Sequence, residues 1–333
     1  MNEPHPLVVA QQKFVDALPL RSLRVEPCPL DQALGRVLAQ PVVAPFDTPP
    51  YHRVIVEGFL VHSQDTQGAS ENEPITLSIV GEVMPGDREC PSFGRGEALR
   101  VATGSIAPDG PYAVVRMFEA NQHGERFSIS RPFPPRFFIE ERGCDLARGV
   151  VAAPAGTLLD PATIGTIAAL GIDRVDVTEK PRVTIYASGD EVVPYTDLPT
   201  PGQIRDSNSV MLAAAVTAAG GVPTIAGIMR DDFEAFVSSL NGAIARSDMV
   251  VISGGTAVGG RDFISDLVRS VGTLVVDGVP MRSGRPLIMG YAGIKPIVCV
   301  AGHPPEALRG FRLFGVAAID RLLGRENALP VDA

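Results

Sequence analysis

The stretch Asp248-Met-Val-Val-Ile-Ser-Gly-Gly-Thr-Ala-Val-Gly-Gly-Arg-Asp262 decides the fold of the second half of the chain. Its apolar run predicts a buried strand, the glycines predict a tight turn, and the residues that follow predict a helix. This arrangement can present backbone N–H groups and a helix N-terminus to an anion. Glycine is also needed wherever the backbone turns with positive φ, so an anion site and a plain tight turn are equal alternatives.

Strand and helix patterns alternate on both sides of this stretch. The alternation predicts an α/β fold, in which helices cover both faces of a mostly parallel sheet. Ligands bind such sheets at the carboxyl ends of the strands. The predicted strands are 183–186, 224–228, 249–252 and 296–300, and the predicted helices are 209–219, 232–245 and 263–270.

Three short polar segments fall at the predicted strand ends and should share one rim of the sheet. They are Ser188-Gly-Asp-Glu191, Asp206-Ser-Asn208 and Ser253-Gly-Gly255. The acidic pair in the first segment could hold Mg²⁺ through carboxylate oxygens, or could be solvated charges. The second segment could bind a ligand, or could provide the N-cap of a helix.

Composition limits the class of protein. A chain of 333 residues with 45% hydrophobic and 20% charged residues predicts two or three globular units. The net charge of −9 argues against a nucleic-acid or membrane-surface partner. The four cysteines are scattered, which indicates neither a zinc site nor a disulfide framework. No apolar stretch is long enough for a membrane span, so a cytoplasmic location is expected.

The first half of the chain has a different pattern of apolar, proline and glycine residues. Residues 30–39 carry apolar side chains at helical spacing and predict a short amphipathic helix. From Pro41 to about Phe138, proline and glycine interrupt short apolar runs, which predicts a β-rich domain with irregular turns. A further helix is predicted over residues 161–170, with Pro161 at its first position.

A series of short motifs runs along the chain between residues 20 and 324. They are Arg100-Val-Ala-Thr-Gly-Ser-Ile-Ala-Pro-Asp-Gly110, Arg142-Gly-Cys-Asp145, Ala155-Gly-Thr-Leu-Leu159, Ser188-Gly-Asp-Glu191, Gly202-Gln-Ile-Arg-Asp-Ser-Asn208, Asp231-Asp232, Ser253-Gly-Gly255 and Gly302-His-Pro304. In kind and in order, these motifs resemble those of the molybdopterin molybdenumtransferases, a family related to the C-terminal domain of gephyrin.

The resemblance implies a homodimer of three-part subunits. Residues 1–44 and 139–179 would form a linker and dimerisation domain, residues 45–138 an inserted β-rich domain, and residues 180–326 a molybdopterin-binding α/β sandwich. The family usually carries a further small β domain, which this chain is expected to lack. The implied reaction inserts molybdate into adenylylated molybdopterin with release of AMP, with Mg²⁺ as cofactor and a molybdoenzyme or another pathway protein as a possible partner.

The resemblance also implies the site residues. The expected catalytic residues are Glu57, Glu191, Asp231, Arg282 and Arg285, and the expected Mg²⁺ ligands are Asp190 and Glu191. The expected residues for binding the pterin ligand are Thr103, Asp145, Ser188, Gly189, Asp206, Asn208, Ser253, Gly254, Gly255, Asp262, Gly302 and His303.

Five positions depart from the family pattern. Glu57 replaces an aspartate, two arginines replace the lysines associated with molybdate, Ala257 replaces a serine, and Glu306 replaces another serine. Arginine and lysine are not equivalent at a defined anion site. The alternative function is therefore a non-catalytic molybdopterin carrier or regulatory paralogue. A dinucleotide dehydrogenase is disfavoured because the glycine-rich turn lacks the G-x-G-x-x-G spacing.

Overall fold

The computed structural model describes residues 5–19, 23–230, 232–254, 263–282 and 284–325. The chain divides into two compact units. The first, here called the α/β unit, contains residues 1–40, 154–164 and 173–333, and the second, the β-rich unit, contains residues 41–153 and 165–172. The predicted three-part division of the chain stays a prediction.

The regular elements are numbered along the chain. The α-helices are α1 (Pro6–Ala17), α2 (Pro161–Ala169), α3 (Asn208–Ala218), α4 (Phe233–Arg246), α5 (Phe263–Val271), α6 (Pro304–Gly310) and α7 (Val316–Leu323), with a π-helical turn at Phe311–Gly315. The strands are β1 (Val25–Pro29), β2 (Val42–Val43), β3 (His52–Val54), β4 (Gly58–His62), β5 (Ile75–Val83), β6 (Glu97–Val101), β7 (Ile106–Ala107), β8 (Tyr112–Arg116), β9 (Asn121–His123), β10 (Arg126–Ile129), β11 (Ile139–Glu140), β12 (Val151–Ala153), β13 (Arg174–Thr178), β14 (Arg182–Ser188), β15 (Val192–Val193), β16 (Ile204–Arg205), β17 (Val222–Met229), β18 (Met249–Ser253), β19 (Thr273–Asp277), β20 (Ile288–Ala292) and β21 (Lys295–Val300).

The α/β unit is built on a six-stranded sheet in the order β17-β14-β18-β21-β20-β19. The first four strands pair in parallel, and β20 and β19 add antiparallel pairs at one edge. The central strands are fully buried, as expected for parallel strands covered on both faces. The predicted α/β fold class is confirmed.

Helices cover both faces of this sheet, and each face has its own apolar core. One core joins the sheet to α1, α3, α6 and α7 and includes Phe14, Leu212 and Phe314. The other joins it to α4 and α5 and includes Phe236 and Leu267. Burial of these side chains removes apolar surface from water and holds the strand ends at a common rim.

The β-rich unit contains a six-stranded sheet in the order β8-β4-β6-β5-β10-β9 and a smaller sheet of β11, β3 and β7. Two apolar clusters fill it, around Phe59 and Phe127 on one side and around Leu60 and Leu99 on the other. At Gly58, where β4 begins, a Cβ atom would lie 1.9 Å from the carbonyl oxygen of Val115. Glycine there lets β4 and β8 approach each other.

The predicted helix over residues 30–39 is wrong. Only Leu30–Gln32 forms a single 3₁₀ turn. Gly35 then adopts a φ of +72°, and its N–H donates to the carbonyl of Leu159 at 2.9 Å. Backbone pairing with a distant part of the chain satisfies this segment, so the helical spacing of its apolar residues is overridden by tertiary contacts.

Within the described parts of the chain, every helix is too short or too polar to cross a bilayer.

Candidate functional site

The carboxyl ends of three neighbouring strands form the candidate rim of the α/β unit. β14 and β18 are in parallel register with Ala187 opposite Ser253, and β18 and β21 with Ser253 opposite Val300. The segments that begin at Ser188, Ser253 and Ala301 therefore emerge side by side. The expected convergence of the strand-end segments is present among the described residues.

Asn208, at the start of α3, connects this helix to two of those strand ends. Its Nδ2 donates to the Ser253 Oγ and to the carbonyl of Gly302, both at 2.7 Å. The Ser253 hydroxyl in turn donates to the carbonyl of Ala301 at 3.1 Å. Both Asn208 and Ser253 are buried. The rim is thus held together by a buried side-chain network that orients the remaining polar atoms.

Three buried polar atoms at the rim are available for hydrogen bonds to a ligand. Ser188 Oγ, Asn208 Oδ1 and Ser209 Oγ have no hydrogen-bond partner within the described part of the chain. An unsatisfied buried polar group costs about 1–3 kcal/mol, and native structures contain few of them. Their concentration at one strand-end rim is the pattern expected where a polar ligand binds.

Asp206 has a structural role at the same helix. Its Oδ1 accepts a hydrogen bond from the Ser209 N–H at 2.9 Å, which caps the first turn of α3. Its own N–H donates to the carbonyl of Val193 at 2.8 Å. The capping alternative that the sequence left open for this segment is therefore realised by Asp206.

Two of the rim glycines, Gly189 and Gly254, have N–H groups that pair with main-chain carbonyls. Gly254 adopts a φ of +94°, and its N–H donates to the carbonyl of Val300 at 3.1 Å. The N–H of Gly189 donates to the carbonyl of Met229 at 3.2 Å. At these two glycines the main-chain pairing is what the tight-turn alternative predicts, and the anion-binding role of the segment stays a prediction.

Asp190 and Glu191 lie exposed at the end of β14. The Glu191 carboxylate lies over Gly189, where an added Cβ would be 2.6 Å from Oε2. The backbone carbonyl of Asp190 accepts a hydrogen bond from Arg230 Nη1 at 2.6 Å. The two adjacent carboxylates offer the oxygen donors that Mg²⁺ prefers, and the pair fits such an ion.

The two arginines expected to act on molybdate have separate environments. Arg282 lines a pocket of about 470 Å³ together with His5, Glu306 and Arg309. Arg285 instead donates from Nη2 to the carbonyls of Asp277 at 2.9 Å and Gly278 at 2.7 Å. Hydrogen bonds to the main chain hold Arg285 at the end of β19, and the joint action of the two guanidinium groups on molybdate stays a prediction.

The end of β19, where Arg285 is held, lies away from the central strand ends. β19 lies at the sheet edge and is separated from β21 by β20. Neighbouring strands are about 4.8 Å apart, so the end of β19 is roughly 10 Å from the end of β21 and farther from Ser253. Gly302 and His303 lie on the nearer side, between β21 and α6, and both are exposed.

The β-rich unit holds the remaining expected site residues. Glu57, Thr103 and Asp145 are all exposed. Asp145 Oδ2 is 3.3 Å from Arg53 Nη2, and the same guanidinium binds Glu140 through Nε at 2.9 Å. Arg53 therefore supplies the positive charge beside Asp145.

That ion pair lies next to a thiol. Ligand atoms of Glu140, Cys144 and Asp145 lie within 4.8 Å of one another. The guanidinium of Arg53 contacts both carboxylates, so a cationic side chain already offsets part of the negative charge of this group.

Sequence reasoning gave the pocket around Arg282 only in part. Glu306 was identified from the family pattern, but His5 was not, because a lone histidine near the start of the chain carries no motif. The expected residues Asp231, Gly255 and Asp262, and the departure at Ala257, lie outside the described residues.

The fold and the rim together define an open-sheet α/β protein of the class that binds a small ligand at its strand ends. Comparisons with known families identify the particular kind. Residues 6–171 match the "MoeA N-terminal region (domain I and II)", and residues 184–321 match the "Probable molybdopterin binding domain".

Curated relatives and solved structures agree with these matches. A molybdopterin molybdenumtransferase from Nostoc sp. is 32% identical over 88% of this chain and 68% of its own length. One from Staphylococcus aureus is 28% identical over 99% of this chain and 78% of its own length. The molybdopterin biosynthesis protein of Pyrococcus horikoshii OT3 superposes with a TM-score of 0.82 at 29% identity, covering 98% of this chain and 81% of that one.

The chain belongs to the molybdopterin molybdenumtransferase family. It is a transferase-type enzyme of molybdenum cofactor biosynthesis, as the resemblance of its motifs predicts.

Proposed function

We propose that this protein inserts molybdate into adenylylated molybdopterin and releases AMP, with its substrate seated at the strand-end rim of the α/β unit. The observation that carries the proposal is the cluster of buried, unsatisfied polar atoms of Ser188, Asn208 and Ser209. The two hydroxyl groups can donate hydrogen bonds to phosphate or pterin oxygens, and the amide oxygen can accept one from a pterin N–H.

Charge at the rim is divided between two groups of residues. Arg282 and Arg309 make their shared pocket attractive to an oxyanion, and a guanidinium can grip such an anion through two hydrogen bonds. Asp190 and Glu191 would hold Mg²⁺, which would neutralise phosphate charge when bound. The protein acts by positioning and charge stabilisation, because the sulfur–metal chemistry belongs to the pterin.

The remaining expectations from the family are part of the same proposal. Asp206 maintains the α3 N-terminus, Thr103, Asp145 and Glu57 act from the β-rich unit, and His303 acts from the segment before α6. A homodimeric state, a cytoplasmic location and delivery of the product to a molybdoenzyme or pathway partner complete the proposal.

The enzyme is tested by following AMP release and formation of active cofactor from purified protein, adenylylated molybdopterin and molybdate. Glu191→Ala should lower the rate by at least about tenfold, because one rim carboxylate is lost. The matched control is Glu234→Ala, which removes an exposed glutamate from the first turn of α4. Equal rates for the two variants would exclude a role for Glu191.

The alternative is a protein that carries or senses molybdopterin without inserting metal. Two observations favour it: Arg285 is committed to main-chain carbonyls, and Glu306 brings a carboxylate into the pocket of Arg282. Calorimetry separates the two functions. A carrier should bind the pterin but release no AMP when molybdate is added.

A further inference from the structure

The end of β8 in the β-rich unit carries a strongly exposed aromatic ring. Phe118 is 77% exposed, Met117 before it in the sequence is 39% exposed, and Ile55 is 38% exposed. The Arg116 Cζ atom lies 4.3 Å from the centroid of the Phe118 ring. A guanidinium over an aromatic face is attracted by the ring quadrupole, so this contact favours one orientation of an otherwise exposed side chain.

Arg116 is itself held in place from two further directions. Its Nε donates to Glu119 Oε2 at 2.8 Å, and its Cζ lies 4.9 Å from the centroid of Phe138. Glu119 also accepts a hydrogen bond from Arg131 Nε at 2.9 Å. Because the guanidinium is fixed by a carboxylate and a second ring, Phe118 rests on a rigid support.

The segment that places the second ring has a strained backbone. Arg136 and Phe138 adopt φ values of +65° and +59°, in the left-handed region that non-glycine residues rarely occupy. Main-chain hydrogen bonds maintain this shape, including one from the Ile55 N–H to the Phe138 carbonyl at 3.1 Å. Strain of this kind persists where the fold over-determines it, and it is frequent at ligand-binding sites.

The ring also lies near a residue with an expected catalytic role. The Met117 N–H donates to the Glu57 carbonyl at 3.2 Å, and Gly58 pairs with Arg116 across β4 and β8. Phe118 and Glu57 therefore project from adjoining strand ends of the same sheet.

The small size of the apolar surface argues for a small planar ligand. Within the described part of the β-rich unit, its strongly exposed apolar side chains at these strand ends are Ile55, Met117 and Phe118. A stable protein interface buries about 800 Å² on each partner, far more than three side chains supply. A single flat ring on a cationic support instead matches the geometry of base stacking on aromatic side chains.

We propose that Phe118, supported by Arg116, is a stacking platform for a planar, nitrogen-rich bicyclic ring of the type that purines and pterins share. The choice of ring rests on the proposed function, whose substrate contains both. Stacking there would orient the ligand ring beside Glu57 and would not depend on the hydrogen-bonding groups at the edge of that ring.

The sequence offers a direct spectroscopic test, because the chain contains no tryptophan. Phe118→Trp would introduce a single fluorophore at the platform, and stacking of a ligand ring should quench its emission. Phe46→Trp is the matched control, since Phe46 is 42% exposed in the same unit. The probes are AMP for the purine and neopterin for the pterin.

The expected result is saturable quenching at Phe118→Trp by at least one probe and none at Phe46→Trp. The probe that quenches identifies which ring is bound. Calorimetry with that probe should show roughly 5- to 100-fold weaker binding for Phe118→Ala than for the wild type. Phe118→Tyr, which keeps the ring, should bind normally.

Three results would overturn the platform. They are quenching by neither probe, equal quenching at both tryptophan positions, and unchanged affinity in Phe118→Ala. A loss of oligomeric mass in Phe118→Ala with ligand affinity intact would also overturn it in favour of a protein contact. Quenching without molybdate-dependent AMP release would refute the proposed enzymatic function but would still support ring stacking at Phe118.

Discussion

Replacement of Gly254 by alanine separates the two interpretations of the glycine-rich turn. The backbone at Gly254 has a φ of +94°, and an added Cβ would lie 2.6 Å from the carbonyl oxygen of Ser188. Gly202, in the same unit, has a nearly equal φ of +91° with no heavy atom within 4 Å of the added Cβ. The two alanine variants share the backbone strain and differ in the steric clash.

The expected losses follow from these two contributions. A left-handed conformation costs an L-residue about 1–2 kcal/mol, so the free energy of unfolding should fall by this amount in both Gly202→Ala and Gly254→Ala. Overpacking adds about 1–3 kcal/mol, which applies to Gly254→Ala alone. At about 2–4 °C per kcal/mol for a unit of this size, Gly254→Ala should melt roughly 2–12 °C below Gly202→Ala.

The measurement is thermal unfolding followed by circular dichroism and calorimetry, with urea unfolding as a second determination. If Gly254 is present because the turn needs a residue without a side chain, its alanine variant should be the less stable of the two. Equal melting temperatures would refute the close packing of the Ser253 turn against the end of β14. A loss of ligand binding without any loss of stability would restore the anion-binding interpretation.

Three further predictions concern charge and thiols. Arg282→Ala should weaken oxyanion binding, measured by calorimetry, by about tenfold or more. Arg285→Ala should leave oxyanion binding nearly unchanged and should lower the melting temperature instead, because the Arg285 guanidinium holds main-chain carbonyls. Hydrogen bonds from two arginines hold the pKa of Glu119 below its ordinary value. The ionised Glu119 therefore stabilises the folded protein fully above the unfolded pKa of about 4.3, and this contribution is lost as the pH falls through the lower pKa of the folded state. The stability difference between the wild type and Glu119→Gln, measured by urea unfolding, should therefore shrink on acidification, and a constant difference would contradict the ion pair. Burial raises the pKa of Cys90 to about 11 and that of Cys299 to about 12, so a thiol reagent at pH 8 should modify both slowly in the native protein and rapidly after denaturation.

The alternating half of the chain could be predicted because its signals are local. The runs that became β14, β18 and β21 are apolar and β-branched, and the patterns between them became α3, α4 and α5. Parallel neighbours place their carboxyl ends together, so the convergence of Ser188 and Ser253 followed from strand order alone.

Other elements gave weaker local signals. β19 and β20 were not predicted, because β19 is a short edge strand with little periodicity and β20 is short and contains a glycine. Residues 30–39 had helical spacing but pair with distant backbone instead. Helices α6 and α7 were also missed, although Pro304 at the start of α6 is a recognisable start signal.

The site divides in the same way. Motif order alone identified the family and the candidate site residues, because the residues within each motif are close to one another in the sequence. Tertiary structure alone decided that Arg285 serves the main chain, that the amides of Gly189 and Gly254 are already paired, and that Phe118 is supported by Arg116 and Phe138. A sequence specifies which donors and acceptors exist, but their partners are chosen by which distant segments the packed core brings within hydrogen-bonding distance.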